Sequence, residues 1–487
     1  MNTFISPTLA LLVIGGLSIV LLSFGHYVSK RLIKSSNDYL YAGRNVGLAL
    51  STATLIAAWV TGNTTMAAPE QGYTIGLIGS IAFSTAGLCL VIFAPLALRI
   101  KKLMPNGYTS GDFMRVRFGS GIWKVYILLA VYYFMGFLAT QAMAGGILLQ
   151  ALSGLDYKVG MLTIMVVCTL YTLKGGLKAI LATDFLLSLL ILGTLAVAAI
   201  WAYSTFGMDT IHAAVMAEKP STFNMLTAAG LMYLGSNFLF SCGEIFHSNI
   251  WWQRIYASNV KVAAKSFVIA GVIWFAVPIV AGSLAFIAIA NGYEIPQVNM
   301  VFPIVVSNVI GPLGAVLVLI IIYSALASTV SSLLTSSSNL IVQDIYRGML
   351  RPQATDEMAA RYVKYTILAL SLLTVLLVWA PRDSIYKVLL LTGPAVASMT
   401  WPIAMGIYLK HTNRNAPMWA MLLGMAAGLL GYFMVSPYSA AIFSTVVSGG
   451  IMIISTRMAP DHTFEWDHLN EGDRSQGRMA NLTPTHR

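Results

Sequence analysis

Apolar runs of about 20 residues recur along almost the whole chain, and no other feature limits its fold so strongly. In lipid a backbone must satisfy its own hydrogen bonds, so such runs read as helices, whereas a β-barrel would show short alternating segments. Composition agrees: of 487 residues, 57% are hydrophobic and 10% charged, against roughly 25% charged in a soluble domain. The sequence therefore predicts an all-α integral membrane protein with about 13 transmembrane helices.

Positive charge orients these spans. One set of alternate connections holds most of the 29 lysines and arginines, including Lys30, Arg31, Arg99, Lys101, Lys102, Arg347 and Arg351. The opposite set holds only Lys158, Lys219, Arg382 and Lys387. Cytoplasmic loops collect positive charge, so the N-terminus is expected outside a cell (inner) membrane and the C-terminus in the cytoplasm. The net charge of +11 is spread over these loops and forms no basic domain, which argues against a nucleic-acid partner. The first apolar run lacks a positive flank and a small-residue cleavage site, so it reads as a retained span. Cys89, Cys168 and Cys242 fall singly inside spans, without metal-ligand spacing, and read as reduced packing residues. The polar tail over 457–487 reads as disordered.

Two spans, the second and the seventh, are too interrupted to be plain lipid-facing helices. In "AAWVTGNTTMAAPEQGYTIG" (57–76), Gly62, Asn63, Pro69 and Gly72 break the apolar pattern. In "GSNFLFSCGEIFHSNIWWQR" (235–254), Gly243, Glu244 and His247 fall at mid-membrane depth. Paired breaks in corresponding positions point to an inverted repeat with a binding site at its interface. An odd number of spans per repeat forces the two copies into opposite orientations. The chain then divides into a first helix and cytoplasmic loop (1–46), a first repeat (47–206), an extracellular loop (207–225), a second repeat (226–410), two additional helices (411–456) and the tail.

A third segment, "ALASTVSSLLTSSSN" (325–339), carries a hydroxyl on eight of its fifteen positions. Helix packing through small residues is one explanation. The angular pattern supports another, because Ala325, Ser328, Thr329 and Ser332 follow helical spacing, with Ser331 and Thr335 beside them. A hard monovalent cation in lipid needs oxygens to replace its water, and hydroxyls with unwound carbonyls supply them without burying several full charges. A sodium site between Ala57–Val60 and Ala325–Ser328–Thr329 is the expectation.

The stretches "NDYLYAGRNVG", "PNGYTSGDFMRVRFG", "YTLKGGLKAILATD", "WWQR" and "SALASTVSS" followed by "QDIY" resemble the sodium/solute symporter family. The resemblance implies a LeuT-type inverted repeat of five plus five helices with two broken helices. It also implies a sodium ion held by the carbonyls of Ala57, Val60 and Ala325 and the hydroxyls of Ser328 and Thr329. A second sodium, used by some members, would fall on Asp184, Ser331 and Ser332. The alternative for Asp184 is a helix-end ion pair with Lys174 or Lys178.

For the solute, the two broken spans offer Thr61, Asn63, Thr64, Glu244, His247 and Ser248, all of which could instead cap freed backbone. Glu244 and His247 share a helix face; a metal site would lack a third ligand, while proton coupling through the pair stays open. "WWQR" and Trp59 look closest to the urea-transporter branch, although that branch carries an acidic residue at the position of Ser248. Sugar-transporting members have an acidic residue where Phe83 stands, which disfavours sugar. The expected function is sodium-coupled import of a small polar, nitrogen-bearing solute, urea-like or an amine, by alternating access. A proton-coupled or sodium-coupled amino acid or carboxylate transporter is the alternative, ahead of a channel or sensor. No Walker loop, nucleophile elbow or metal motif suggests an enzyme.

Overall fold

The computed structural model describes residues 3–32, 36–380 and 384–469. Among these, eleven helices are long and apolar enough to cross a membrane, and Leu48–Trp59, Tyr157–Leu173 and Val298–Ile310 are shorter apolar helices. Position in the bundle follows composition. The hydroxyl-rich helix Pro312–Leu340 is central: the most apolar window of its span is 78% buried, against 28% for the N-terminal span. A helix with polar groups on so many positions must find partners in protein, since lipid offers none. Its last turns continue as the π-helical segment Ile341–Leu350.

Both predicted breaks are present. Helix Leu48–Trp59 ends where Val60 turns extended (φ −81°, ψ 91°), and Gly62–Thr74 restarts the helix two residues later, after Thr61. Helix Ala228–His247 ends at Ser248 (φ −66°, ψ 126°) before Asn249–Ala257 begins. The second break thus falls at Ser248, one turn beyond Gly243, which remains helical. Within Tyr157–Phe206, Gly176 adopts φ +57° and divides one long helix into Tyr157–Leu173 and Gly176–Phe206. Close crossings depend on absent side chains: a Cβ on Gly87 would meet the Gly271 carbonyl oxygen at 2.7 Å, and one on Gly271 would meet that of Gly87 at 2.5 Å.

Two expectations change. Segment 207–225 is not a plain loop but carries the helix Met208–Glu218 and the 3-10 turn Pro220–Phe223. The tail is ordered as far as Leu469: His462–Thr463 pairs antiparallel with His411–Thr412, and Phe464 and Leu469 are buried. Apolar side chains explain the difference, because a polar average conceals three apolar anchors, Phe464, Trp466 and Leu469. Residues 470–487 lie outside the described residues.

Candidate ion and solute sites

The first break is built by two threonines. The Thr61 amide donates to Thr64 Oγ1 at 3.2 Å, and the Thr64 amide donates to Thr61 Oγ1 at 3.1 Å. In a continuous helix those amides would serve the carbonyls of Ala57 and Val60. The capping box therefore takes away the usual donors of the two carbonyls expected to hold sodium. The next amide, Gly62 N–H, is used by Gln141 Oε1 at 3.0 Å. Gly62 lies against the hydroxyl-rich helix, since a Cβ there would stand 2.8 Å from Leu326 Cδ2, beside Ala325.

On that helix Thr329 is fully buried and its hydroxyl has no hydrogen-bond partner. Ser324, Thr335, Ser336 and Ser338 of the same helix share this state, so the free Thr329 hydroxyl is compatible with a ligand without marking one. Ser328 donates to Asp184 Oδ1 at 2.7 Å. Asp184 Oδ2 accepts from Thr54 at 2.5 Å and from Arg254 Nη2 at 3.2 Å. Of the two lysine alternatives, Lys178 pairs with Asp38 at 2.8 Å while Asp184 pairs with Arg254, and the side chain of Lys174 lies outside the described residues. Ser332 accepts from Arg254 at 2.8 Å, and Ser331 donates back to the Ser328 carbonyl at 3.0 Å. Asp184 and Ser332 are thus linked through Arg254, while Ser331 bonds only to its own helix.

Next to the break lies a small cavity lined by Trp59, Thr61, Thr64, Phe83, Ala86, Phe137, Asn237, Phe240, Ser241, Trp274 and Leu389. Its aromatic wall is continuous, with Trp59 and Trp274 ring centroids 5.8 Å apart and Phe83 and Trp274 6.4 Å apart and stacked. Polar groups come from Thr61, Thr64, Asn237 and Ser241, and no lining residue carries a charge. Asn237 is fixed by donating to the Ala82 carbonyl at 2.9 Å.

Of the expected solute residues, Thr61 and Thr64 line this cavity, and the side chain of Asn63 lies outside the described residues. Glu244, His247 and Ser248 do not reach the wall. Glu244 is fully buried behind it, accepting from Tyr133 at 2.8 Å and from Trp251 Nε1 at 2.8 Å. His247 Nδ1 faces the Gly243 carbonyl at 2.7 Å, with its ring edge-on to Tyr133 at 4.8 Å. The same helix instead lines the cavity through Asn237, Phe240 and Ser241, one to two turns earlier. Cys242 Sγ lies 3.0 Å from Cys89 Sγ, so two of the three cysteines meet as free thiols.

Comparison with known proteins places these features in context. The model of the sodium:solute symporter family matches residues 39–424. The urea active transporter of Saccharomyces cerevisiae is 24% identical, over 91% of this chain and 68% of its own length. The urea-proton symporter DUR3 of Oryza sativa subsp. japonica is 24% identical, over 92% of this chain and 70% of its own. The high-affinity proline transporter PutP of Bacillus subtilis is 25% identical, over 84% and 88%. Among solved structures, a sodium-coupled sialic acid symporter in a substrate-bound outward-open state superposes with a TM-score of 0.77 at 19% identity, covering 93% of this chain and 99% of that one. The nucleobase-cation-symport-1 transporter Mhp1 gives 0.56 at 14% identity, covering 90% and 99%. The fold is therefore that of LeuT-type symporters.

Proposed function

From the premise that the chain belongs to the sodium:solute symporter family and performs secondary active symport of a small solute, we propose that it imports an uncharged, planar, nitrogen-bearing solute of the urea class with sodium. The cavity carries this reading. Aromatic faces suit a flat amide, and the hydroxyl and amide groups of Thr61, Thr64, Asn237 and Ser241 match its N–H and C=O groups. A cationic amine would find no carboxylate on the wall, since Glu244 lies behind it. A carboxylate would depend on amides at the start of Gly62–Thr74, yet those of Thr61, Gly62 and Thr64 are already bonded. The urea transporters among the relatives are consistent with this choice, which ranks urea above proline.

The sodium ion is cargo, held by the carbonyls of Ala57, Val60 and Ala325 and the hydroxyls of Ser328 and Thr329. The capping box that frees two of those carbonyls supports this set, and the unpartnered Thr329 hydroxyl is compatible with it. Sodium binding would fix the first break and thereby the Thr61–Thr64 side of the cavity. One sodium moving inward draws about 2.3 kcal/mol per 100 mV, roughly a fortyfold solute gradient. Counting the broken first helix and Tyr157–Leu173 as spans brings the total to 13, with one helix, two repeats of five over 47–206 and 226–410, and two final helices. The lysine and arginine asymmetry supports an outside N-terminus and a cytoplasmic C-terminus in the cell membrane.

Uptake of labelled urea and labelled proline into proteoliposomes, under a sodium gradient or a proton gradient, tests the proposal. Sodium-driven urea uptake lost in Ser328→Ala and Thr329→Ala is the expected result. Proton-driven uptake indifferent to both substitutions would sink it.

A further inference from the structure

Arg254 occupies the place where the resemblance implies a second ion. It rises from Asn249–Ala257, just past the second break, into the crevice between the Gly176–Phe206 and hydroxyl-rich helices. Its side chain is 2% exposed and that of Asp184 is 0%. The guanidinium is bonded on every side: Nη2 to Asp184 Oδ2 at 3.2 Å and to Ser332 Oγ at 2.8 Å, Nε to Thr54 Oγ1 at 3.2 Å, and Nη1 to the Ile250 carbonyl at 3.2 Å. Thr54 and Ser328 complete the carboxylate, and Ser331 is turned back on its own helix. Both Asp184 oxygens and the Ser332 hydroxyl accept protein donors, and only the Ser331 lone pairs stay uncommitted.

We infer that Arg254 is a tethered cation standing in for a second sodium ion, so that the protein binds one sodium per transport cycle. A buried carboxylate needs one compensating charge, and a guanidinium supplies it permanently, with donors that fork across several oxygens. A free ion in the same shell would have to displace those donors and sit beside a like charge. The arrangement also gives Asp184 a role toward the remaining ion. Ser328 spends its proton on Asp184, which turns the hydroxyl lone pairs away from that carboxylate and frees them for an ion held with Thr329. Asp184 is thus a positioning residue acting through Ser328, and Arg254 fixes Asp184.

This inference rests on the reading of the first sodium site, and ion counting separates the two. Equilibrium binding of radioactive sodium to the detergent-purified full chain is expected to give one ion per wild-type protein and one per Arg254→Lys. Arg254→Gln is expected to give two, with the Hill coefficient of sodium-dependent thermal stabilisation rising from one toward two. The double variant Asp184→Asn/Arg254→Gln removes both charges and should return the count to one. Two ions in the wild type, or one in a folded Arg254→Gln, would overturn the assignment of Arg254. No ion in the wild type would overturn the first-site reading and this inference with it. The wild-type count decides between one ion and two even where a single variant fails to fold.

Discussion

Thr64 shows how much one hydroxyl can control. Its Oγ1 accepts the Thr61 amide and donates to the Trp59 carbonyl at 3.2 Å, so it both ends one helix and starts the next. In Thr64→Val the Thr61 amide is free to return to the Ala57 carbonyl and extend the first half-helix. Loss of such a cap costs about 1 kcal/mol, equivalent to roughly a fivefold rise in the sodium concentration that half-saturates thermal stabilisation. Measuring this without solute removes the contact of Thr64 with the cavity from the readout, and Thr64→Ser should behave as wild type. An unchanged sodium midpoint in Thr64→Val would separate the cap from the ion. At this scale the hydroxyl stripe was legible because helical spacing marks a face. Asn237, Ser241, Phe83 and Trp274 were not, because in helices buried on several sides periodicity does not say which side faces a void. Glu244 misled for the opposite reason: an acid inside a span reads as functional by default, and nothing in the sequence foretold that Tyr133 and Trp251 would satisfy it.

Between elements, Glu244 links three pieces of the bundle. Its carboxylate joins Tyr133 on Ser120–Ser153 to Trp251 on the far side of the second break, and the Trp251 ring stands edge-on to Trp59, 5.1 Å away, at the first break. Trp59 is part of the cavity wall, so Glu244 braces that wall from behind. In Glu244→Gln the amide oxygen can still accept from Trp251 while its nitrogen donates to Tyr133. Solute uptake is expected to stay within about fivefold of wild type, since this change costs on the order of 1 kcal/mol. Glu244→Ala strands two buried donors at about 1–3 kcal/mol each; the melting temperature should fall and the solute KM should rise more than Vmax falls. Abolition of uptake by the glutamine variant, with the fold intact, would instead return Glu244 to proton or solute chemistry. The breaks themselves were readable, since glycine, proline and asparagine interrupt apolar runs. Their limits were not, because Gly243 stays helical under neighbouring packing while Ser248 leaves the helix. The residues of 207–225, read as a loop between the repeats, carry the short helix Met208–Glu218 and the 3-10 turn Pro220–Phe223.

Across the whole molecule, the ordered tail fastens the end of the bundle on which helices Ser110–Phe118 and Ile385–Tyr408 meet. Phe464 lies under the Arg117 guanidinium at 4.6 Å, Trp466 meets Arg99 at 4.8 Å, and Lys410 pairs with Glu465 at 3.1 Å. Arg117 belongs to the short helix Ser110–Phe118 and donates to the carbonyls of Gly406 at 2.9 Å and Leu409 at 2.8 Å. Burial lowers the Arg117 pKa to about 10, which leaves the group charged at neutral pH and able to hold both carbonyls and the ring. The tail thereby ties the short helix Ser110–Phe118 to the end of Ile385–Tyr408, so that opening this end of the bundle by parting the two helices has to break its contacts. Each cation–π contact contributes about 0.5–2 kcal/mol, so losing both moves a closed-to-open equilibrium by roughly fivefold or more. Removal of residues 459–487 is therefore expected to raise hydrogen exchange over 110–118 and 405–412 while leaving 57–64 unchanged, and to speed solute exchange at equal sodium on both sides. Phe464→Ala with Trp466→Ala should reproduce most of the effect in the full-length chain. If exchange over 110–118 is the same with and without the tail, the strap carries no part of the gate, and closure of that side must rest on contacts such as those of Arg117 to Gly406, Leu409 and Thr412 and of Arg99 to Ile407.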